Sequence, residues 1–327
     1  MTVSNVLRGK GTVKKSTAER VTKIAKELNY QPNLAARQLS SGRTNVIGFS
    51  TVEIDYSPFS ANLAAAVSDL AFARGYQTLI QQTRRSTAYE TSMLSAISAQ
   101  LTDGMILCAP TVPAKTLADM GVSYPLVVFD APFAPPANVD GVFTPCEESS
   151  RAAVNHLFEQ GCTRILVLGA NRLDPQELAV TDTLDGKRLR GASLAFDDHH
   201  AQLENDLVQR CEWSIQDGYR VMAHLLDSQL MFDGLFCLSD VIAIGASRAL
   251  LDRGRRIPDD VAVIGFDGLV ESPFLNPPLS SVTIDPHIVA KECLDLLTDR
   301  IAHPKRHVIE CRSVPFSLTI RESSRKR

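Results

Sequence analysis

The sequence predicts an α/β protein: a small helical arm followed by a two-lobe body of parallel sheets covered by helices. Three observations carry this. From residue 45 onward, apolar runs of a few residues alternate with amphipathic stretches of about 12–16, as buried parallel strands alternate with helices. The runs fall into two series, which predicts two similar lobes. Before residue 45 the pattern is purely helical and the charge has the opposite sign.

The elements follow in order. Thr17 to Leu28 places Val21, Ile24, Ala25 and Leu28 at helical spacing, with Lys and Glu between them. Asn29-Tyr30-Gln31-Pro32-Asn33 ends that helix, because proline disfavours a helical conformation in the residue before it. A short stretch, Leu34-Ala35-Ala36-Arg37-Gln38-Leu39, is stopped by Ser40-Ser41-Gly42. About two turns fall below the roughly 12–15 residues an isolated helix needs, so something outside must order it. The first strand series is Val46–Phe49, Thr78–Ile80, Gly104–Cys108 and Leu126–Phe129. The second is Ile165–Leu168, Leu235–Leu238 and Val261–Ile264. Helical patterns lie at about 60–75, 88–101, 147–160, 187–199, 215–228 and 241–253. Binding is expected in the cleft between the lobes, at the carboxyl ends of the strands.

Composition narrows the function. Apolar residues make up 44% and charged residues 22% of 327, an ordinary globular balance. No apolar run is long enough to span a membrane, and the first 30 residues lack the apolar core of a secretory signal, so a cytoplasmic protein is expected. The seven cysteines include no C-x-x-C, which leaves zinc and thioredoxin-like redox sites unsupported. Residues 1–45 hold nine Lys/Arg against Glu19 and Glu27, a charge of +7, while the whole chain carries −3. A basic arm on an acidic body suits a module placed on a polyanion, and equally a solvated helical face. No G-x-G-x-x-G follows the first strand, and no Walker, G-x-S-x-G or H-E-x-x-H motif occurs. His199-His200, Asp197-Asp198 and Asp259-Asp260 read as helix-end or turn residues. No catalytic residue, metal site or cofactor is expected.

Thr2-Val3-Ser4-Asn5-Val6-Leu7, Thr17-Ala18-Glu19-Arg20-Val21 and Leu28 to Asn33 with Ala35, Arg37 and Leu39 resemble the DNA-binding arm of the lac-repressor/gal-repressor family of bacterial transcription factors. Asp260 to Asp267, Pro277-Pro278-Leu279-Ser280-Ser281-Val282, and Ser239-Asp240 opening a helix resemble that family's sugar-binding body. The resemblance spans essentially the whole chain. It implies a partial helix-turn-helix over 1–32 and a hinge helix and linker over 33–44. It also implies a first lobe of 45–142 plus about 286–306 and a second of 143–285 plus about 307–327, together periplasmic-binding-protein-like.

What the resemblance implies for the arm is specific. Thr2 to Leu7 belong to a recognition helix in the major groove, with Thr2, Ser4, Asn5 and Arg8 as DNA contacts. Tyr30, Asn33, Arg37 and Leu39 are the contacts around the hinge, where Leu39 enters the minor groove and the deformed DNA supplies the apolar partner a short helix lacks. Without DNA, Leu39 packing back on the body is the competing placement. In the family a helix and turn precede the Thr-Val-Ser stretch, whereas Thr2 is the second residue here. The expectation is that about 15–20 further residues belong upstream, and that without them residues 1–40 are loosely held and operator binding is weak.

In the body, the resemblance places Phe59, Asp130, Arg188, Trp213, Ser239, Asp240 and Asp267 around the cleft as effector contacts. The guanidinium of Arg188 offers a donor fork for paired hydroxyls or a carboxylate, Asp267 accepts from sugar hydroxyls, and Trp213 stacks on a ring or packs in the core. Arg188 is expected to touch ligand alone, so that Arg188→Ala spares the fold. Asp240 is the alternative N-cap of its helix. The implied function is a repressor controlled by a small effector, a sugar, and acting as a homodimer on a palindromic operator. The seven residues after Ile320 are too few and too polar for a tetramerising helix. A stand-alone periplasmic-type sugar-binding protein is the rival reading.

Overall fold

The computed structural model describes residues 6, 13–28, 43–55, 57–97, 101–306 and 308–326. The DNA-contact candidates Thr2, Ser4, Asn5, Arg8, Tyr30, Asn33, Arg37 and Leu39 lie outside the described residues. Of the arm, helix α1 (Lys15–Glu27) is described. Its apolar positions keep their helical spacing but none is buried, and Ile24 and Leu28 stand exposed.

Two six-stranded sheets build the body. The first takes β1 (Val46–Thr51), β2 (Gln77–Gln82), β3 (Gly104–Cys108), β4 (Leu126–Phe129) and β5 (Asp140–Phe143). Its order is β11-β5-β4-β3-β1-β2 with β11 (Cys311–Ser313), and every pairing is parallel. Helices α2 (Pro58–Ala73), α3 (Thr87–Ile97) and α4 (Ala114–Gly121) connect these strands. The second sheet takes β6 (Ile165–Leu168), β7 (Val208–Gln209), β8 (Gly234–Cys237), β9 (Ala262–Asp267), β10 (Ser280–Thr283) and β12 (Ser317–Thr319), with β12 antiparallel at its edge. Helices α5 (Cys146–Glu159), α6 (Pro175–Val180), α7 (Leu184–Asp198), α8 (Ile215–Asp227) and α9 (Asp240–Asp252) belong to this half, and α10 (Pro286–Ala302) returns to cover the first sheet.

Local chemistry sets the helix starts. Ser57 accepts from the Ser60 N–H ahead of Pro58, Asp174 and Glu177 form a reciprocal capping box, and Thr183, Ser214 and Asp285 cap α7, α8 and α10. In the paired helices α8 and α9 the backbones approach so closely that a side chain at Gly245 would strike the Ile215 carbonyl; Gly191 allows the same approach of α7 to α5. No described helix is long and apolar enough to cross a membrane.

The chain crosses between lobes three times, and each crossing is hydrogen-bonded. Thr144, after β5, donates from its N–H and Oγ1 to Asp130. Ile284, after β10, donates to the Asp267 carbonyl, and Val314, after β11, donates to the Phe143 carbonyl. Because β11 pairs with β5, the last crossing follows Ser313 rather than residue 307, where the sequence reading began the final segment of the second lobe. A strand of three residues with no apolar run gives no signal of which sheet it joins. The turn Glu322–Ser324 docks on the second sheet, with Ser323 buried between the Val263 carbonyl and the Ser280 N–H.

One buried carboxylate ties this region together. Asp140 is fully buried and accepts from Arg300 Nε at 2.6 Å and Nη2 at 2.8 Å, from Arg306 Nη2, and from the Glu310 N–H at 2.8 Å. It thereby joins α10 and β11 to β5. Asp140→Ala strands the buried Arg300 without a counter-ion and is expected to cost about 3–5 kcal/mol. Urea unfolding checks this, and a loss below about 1 kcal/mol would show that the ion cluster adds little.

Candidate functional site

Parallel strands present their carboxyl ends to one edge, and in both lobes that edge faces the other lobe. Residues in the left-handed region turn the chain sharply there: Ala109 (φ 48°) after β3, Asp130 (φ 49°) after β4 and Asp267 (φ 114°) ending β9. After β6 the position is Gly169 (φ 124°), where glycine meets no steric cost. The result is an inter-lobe cavity of about 460 Å³. That is the size class of small-molecule sites.

Six of the seven effector candidates line it: Phe59, Asp130, Arg188, Trp213, Ser239 and Asp267. Arg188 reaches inward from α7 and is 4% exposed. Its Nη1 donates to the Leu238 carbonyl and, at 3.4 Å, to Asp267 Oδ1. Its guanidinium lies 3.5 Å over the Phe266 ring and 4.8 Å from the Trp213 ring centroid, where a desolvated cation gains from the ring quadrupoles. Ser239 Oγ donates to Asp267 Oδ2 at 2.6 Å. Burial pushes the Asp267 carboxyl above the usual carboxylate range, against the opposing pull of Arg188 and Ser239. Trp213 is held in place by its indole N–H, which donates to the Gly169 carbonyl at 2.9 Å. On the opposite wall Phe59 and Phe129 stack with centroids 6.3 Å apart. Asp130 is also raised by burial, with the Thr144 bonds acting against it.

Two expectations need correction. Asp240 neither faces the cleft nor caps α9. Ser239 is the cap residue, and Asp240 is fully buried, accepting from the Leu269 N–H, Ser272 Oγ and Ser281 Oγ at 2.8–2.9 Å. Its place exists because Gly265 has no side chain: a Cβ there would collide with Asp240 Oδ1. Burial, with Asp267 nearby, pushes its carboxyl up to about 7. Gly265-Phe266-Asp267 thus reads as one device, a gap for Asp240, a floor for Arg188 and its counter-ion. Arg188 in turn is not a ligand contact alone, since it is bonded within the protein at two points.

The cavity also holds residues that sequence reasoning passed over. Thr51 and Cys108 line it at the ends of β1 and β3, and Glu53, Arg85, Asn171, Asp185, Arg210 and Glu212 are among its other polar lining residues. The signal was available: Thr51, Cys108, Asn171 and Arg210 lie within three residues of a strand's carboxyl end.

Comparison with known proteins accords with this geometry. Residues 154–324 match the periplasmic binding protein-like domain, and residues 1–33 match the bacterial regulatory proteins of the lacI family. The ribose operon repressor of Halalkalibacterium halodurans is 31% identical over 325 residues, 99% of this chain and 93% of that protein. The chain belongs to the lacI family of bacterial regulatory proteins. Among solved structures, a lacI-family transcriptional regulator from Sanguibacter keddieii is 31% identical, with a TM-score of 0.77 over 86% of this chain and 99% of that one. The transcriptional regulator CelR in complex with cellobiose is 26% identical, with a TM-score of 0.74 over 98% and 94%.

In this lacI-family regulator, Arg188→Ala leaves Asp267 buried without its cation. It is expected to lower stability by about 2–4 kcal/mol with no ligand present. Unfolding of the ligand-free variant checks this, and wild-type stability would return Arg188 to a purely ligand-facing role.

Proposed function

We propose that this regulator is a repressor that binds palindromic operator DNA as a homodimer in the cytoplasm, and that a sugar held between its lobes sets operator affinity. The observation that carries the reading is the character of the cleft. Carboxylates stand at the strand ends, a paired guanidinium reaches in from α7, and aromatic faces stand on both walls. A sugar ring has apolar C–H faces and a rim of hydroxyls, and it matches such a site face by face and edge by edge. Phe59, Asp130, Arg188, Trp213, Ser239 and Asp267 are its contacts in this reading. The relatives support it, one named for a ribose operon and one solved with cellobiose. Exposed Phe72, Val270 and Phe274 are apolar groups of the kind a subunit interface covers.

The mechanism needs the effector to bind two arrangements of the lobes unequally, because only differential affinity shifts an equilibrium. Trp213 makes the binding step observable, since it is the only tryptophan and lies in the cleft. Titration with D-ribose, D-glucose, sucrose and cellobiose is expected to give a saturable change in its emission with at least one sugar, lost in Trp213→Phe. DNA affinity is expected to fall steeply with salt, at about 0.9 decades per decade of salt for each phosphate neutralised. No emission change with any sugar, or no DNA binding at low salt, would contradict the proposal.

A further inference from the structure

The chain enters the body through Arg43, Thr44 and Asn45, and each is bonded before β1 begins. Asp103 is half-buried in the turn ahead of β3. Its Oδ1 accepts from the Thr44 N–H at 2.6 Å and the Thr44 hydroxyl at 2.9 Å, and its Oδ2 accepts from the Asn45 N–H at 2.9 Å. The Asp103 N–H donates to the Val46 carbonyl at 2.8 Å, and Thr44 Oγ1 accepts from the Val46 N–H at 3.0 Å. Two consecutive backbone donors on one carboxylate require a tight turn. Asn45 makes it at φ 54°, in the left-handed region that asparagine tolerates better than most residues. One residue upstream, Arg43 Nη2 donates to the Ile301 carbonyl near the end of α10 at 3.2 Å. The turn under this clamp is fixed from both sides. Thr102 is buried, with its hydroxyl bonded to that of Tyr124. Gly104 is closed in by α10 and by the residue ahead of β4: a Cβ there would stand 2.9 Å from Leu297 Cδ1 and 3.1 Å from the Pro125 carbonyl oxygen. Thr102-Asp103-Gly104 therefore joins the linker, the first sheet and α10 at one point.

We propose that Asp103 is a positioning residue for the DNA response. It seats the linker on the first lobe, so that a shift of that lobe or of α10 reaches the arm as a change of direction. A free chain samples many conformations and passes on little of such a shift. A carboxylate suits the task, because hydrogen bonds to an ionised acceptor are about twice as strong as neutral ones. Without it, the Thr44 and Asn45 N–H groups turn to water and the ordered chain frays toward Val46. Asp103 is not among the residues lining the cleft, so sugar affinity does not depend on it. The assignment rests on the reading of the protein as an effector-controlled DNA binder.

The test uses the full chain and compares Asp103→Ala, which removes every side-chain bond to the linker, with Asp103→Asn, which keeps one acceptor oxygen and replaces the other by a donor. Limited trypsin digestion reads the clamp by itself. The Arg43–Thr44 peptide carries the N–H that Asp103 holds, and its cleavage follows the population in which the segment is released. The fragment beginning at Thr44, identified by mass, is expected to form about 10-fold faster from Asp103→Ala and about threefold faster from Asp103→Asn. Titration of Trp213 emission with D-ribose, D-glucose, sucrose and cellobiose is expected to stay within about twofold of wild type. Fluorescence anisotropy of labelled promoter DNA reads the response. The sugar-induced shift in dissociation constant, about fivefold or more in the wild type, is expected to fall below about twofold in Asp103→Ala. An unchanged shift in Asp103→Ala makes the clamp structural only and overturns the assignment, and so does unchanged cleavage. Should Asp103→Ala lose sugar binding, Asp103→Asn decides by the same two readouts, with the shift expected to fall by at least half. Wild-type DNA affinity that no bound sugar moves overturns the underlying reading instead, and this assignment with it, whatever the cleavage rates.

Discussion

A guanidinium buried between two lobes must have its charge answered inside the protein, and the centre of this molecule is arranged around that requirement. Arg188 is met by the Leu238 carbonyl, the Asp267 carboxylate and the faces of Phe266 and Trp213. Each partner is itself held. Asp267 accepts from Ser239, and Trp213 donates to Gly169. The strand that carries Phe266 and Asp267 can take its place beside α9 because Gly265 leaves room for Asp240. Asp240 then fastens Leu269, Ser272 and Ser281 behind the site. Burial raises both carboxyls, with Asp267 adding to the rise at Asp240, and the arrangement persists because each accepts from donors of its own.

The same geometry gives a route from the cleft to the arm. Helix α10 starts at the second lobe crossing, where Ile284 bonds to the Asp267 backbone. Its far end meets the linker, where Arg43 donates to the Ile301 carbonyl. Beside it, Asp103 accepts from the Thr44 N–H, the Thr44 hydroxyl and the Asn45 N–H. In the proposed mechanism a ligand that draws the lobes together acts on the crossings, and the arm leaves the body from a point bonded to both α10 and the first sheet. Packed helices move as units, so a small shift at the crossing is carried along α10 rather than dissipated.

How far this was legible in the sequence depended on burial. Residues 46–51, 104–108 and 165–168 are buried almost throughout, and their unbroken apolar runs declared strands. Ser280–Thr283, Cys311–Ser313 and Ser317–Thr319 are short and polar, and tertiary pairing alone makes them strands. Of the site, Arg188, Trp213 and Asp267 were found through a family resemblance. Asp240 was misplaced because adjacent residues at a helix start point in different directions, and which of them faces the cleft is decided by Gly265, on another strand. Thr51 carries no charge and belongs to no motif, so only its place at the carboxyl end of β1 marks it.

The central claim is that occupancy of the cleft and affinity for DNA are coupled. The direct measurement is fluorescence anisotropy of labelled DNA from the regulator's own promoter region, titrated with the full chain with and without the sugar that alters Trp213 emission. The account predicts that saturating sugar shifts the dissociation constant by about 5- to 150-fold, the usual range of an allosteric coupling. Superimposable curves, with the sugar shown to be bound, would contradict it.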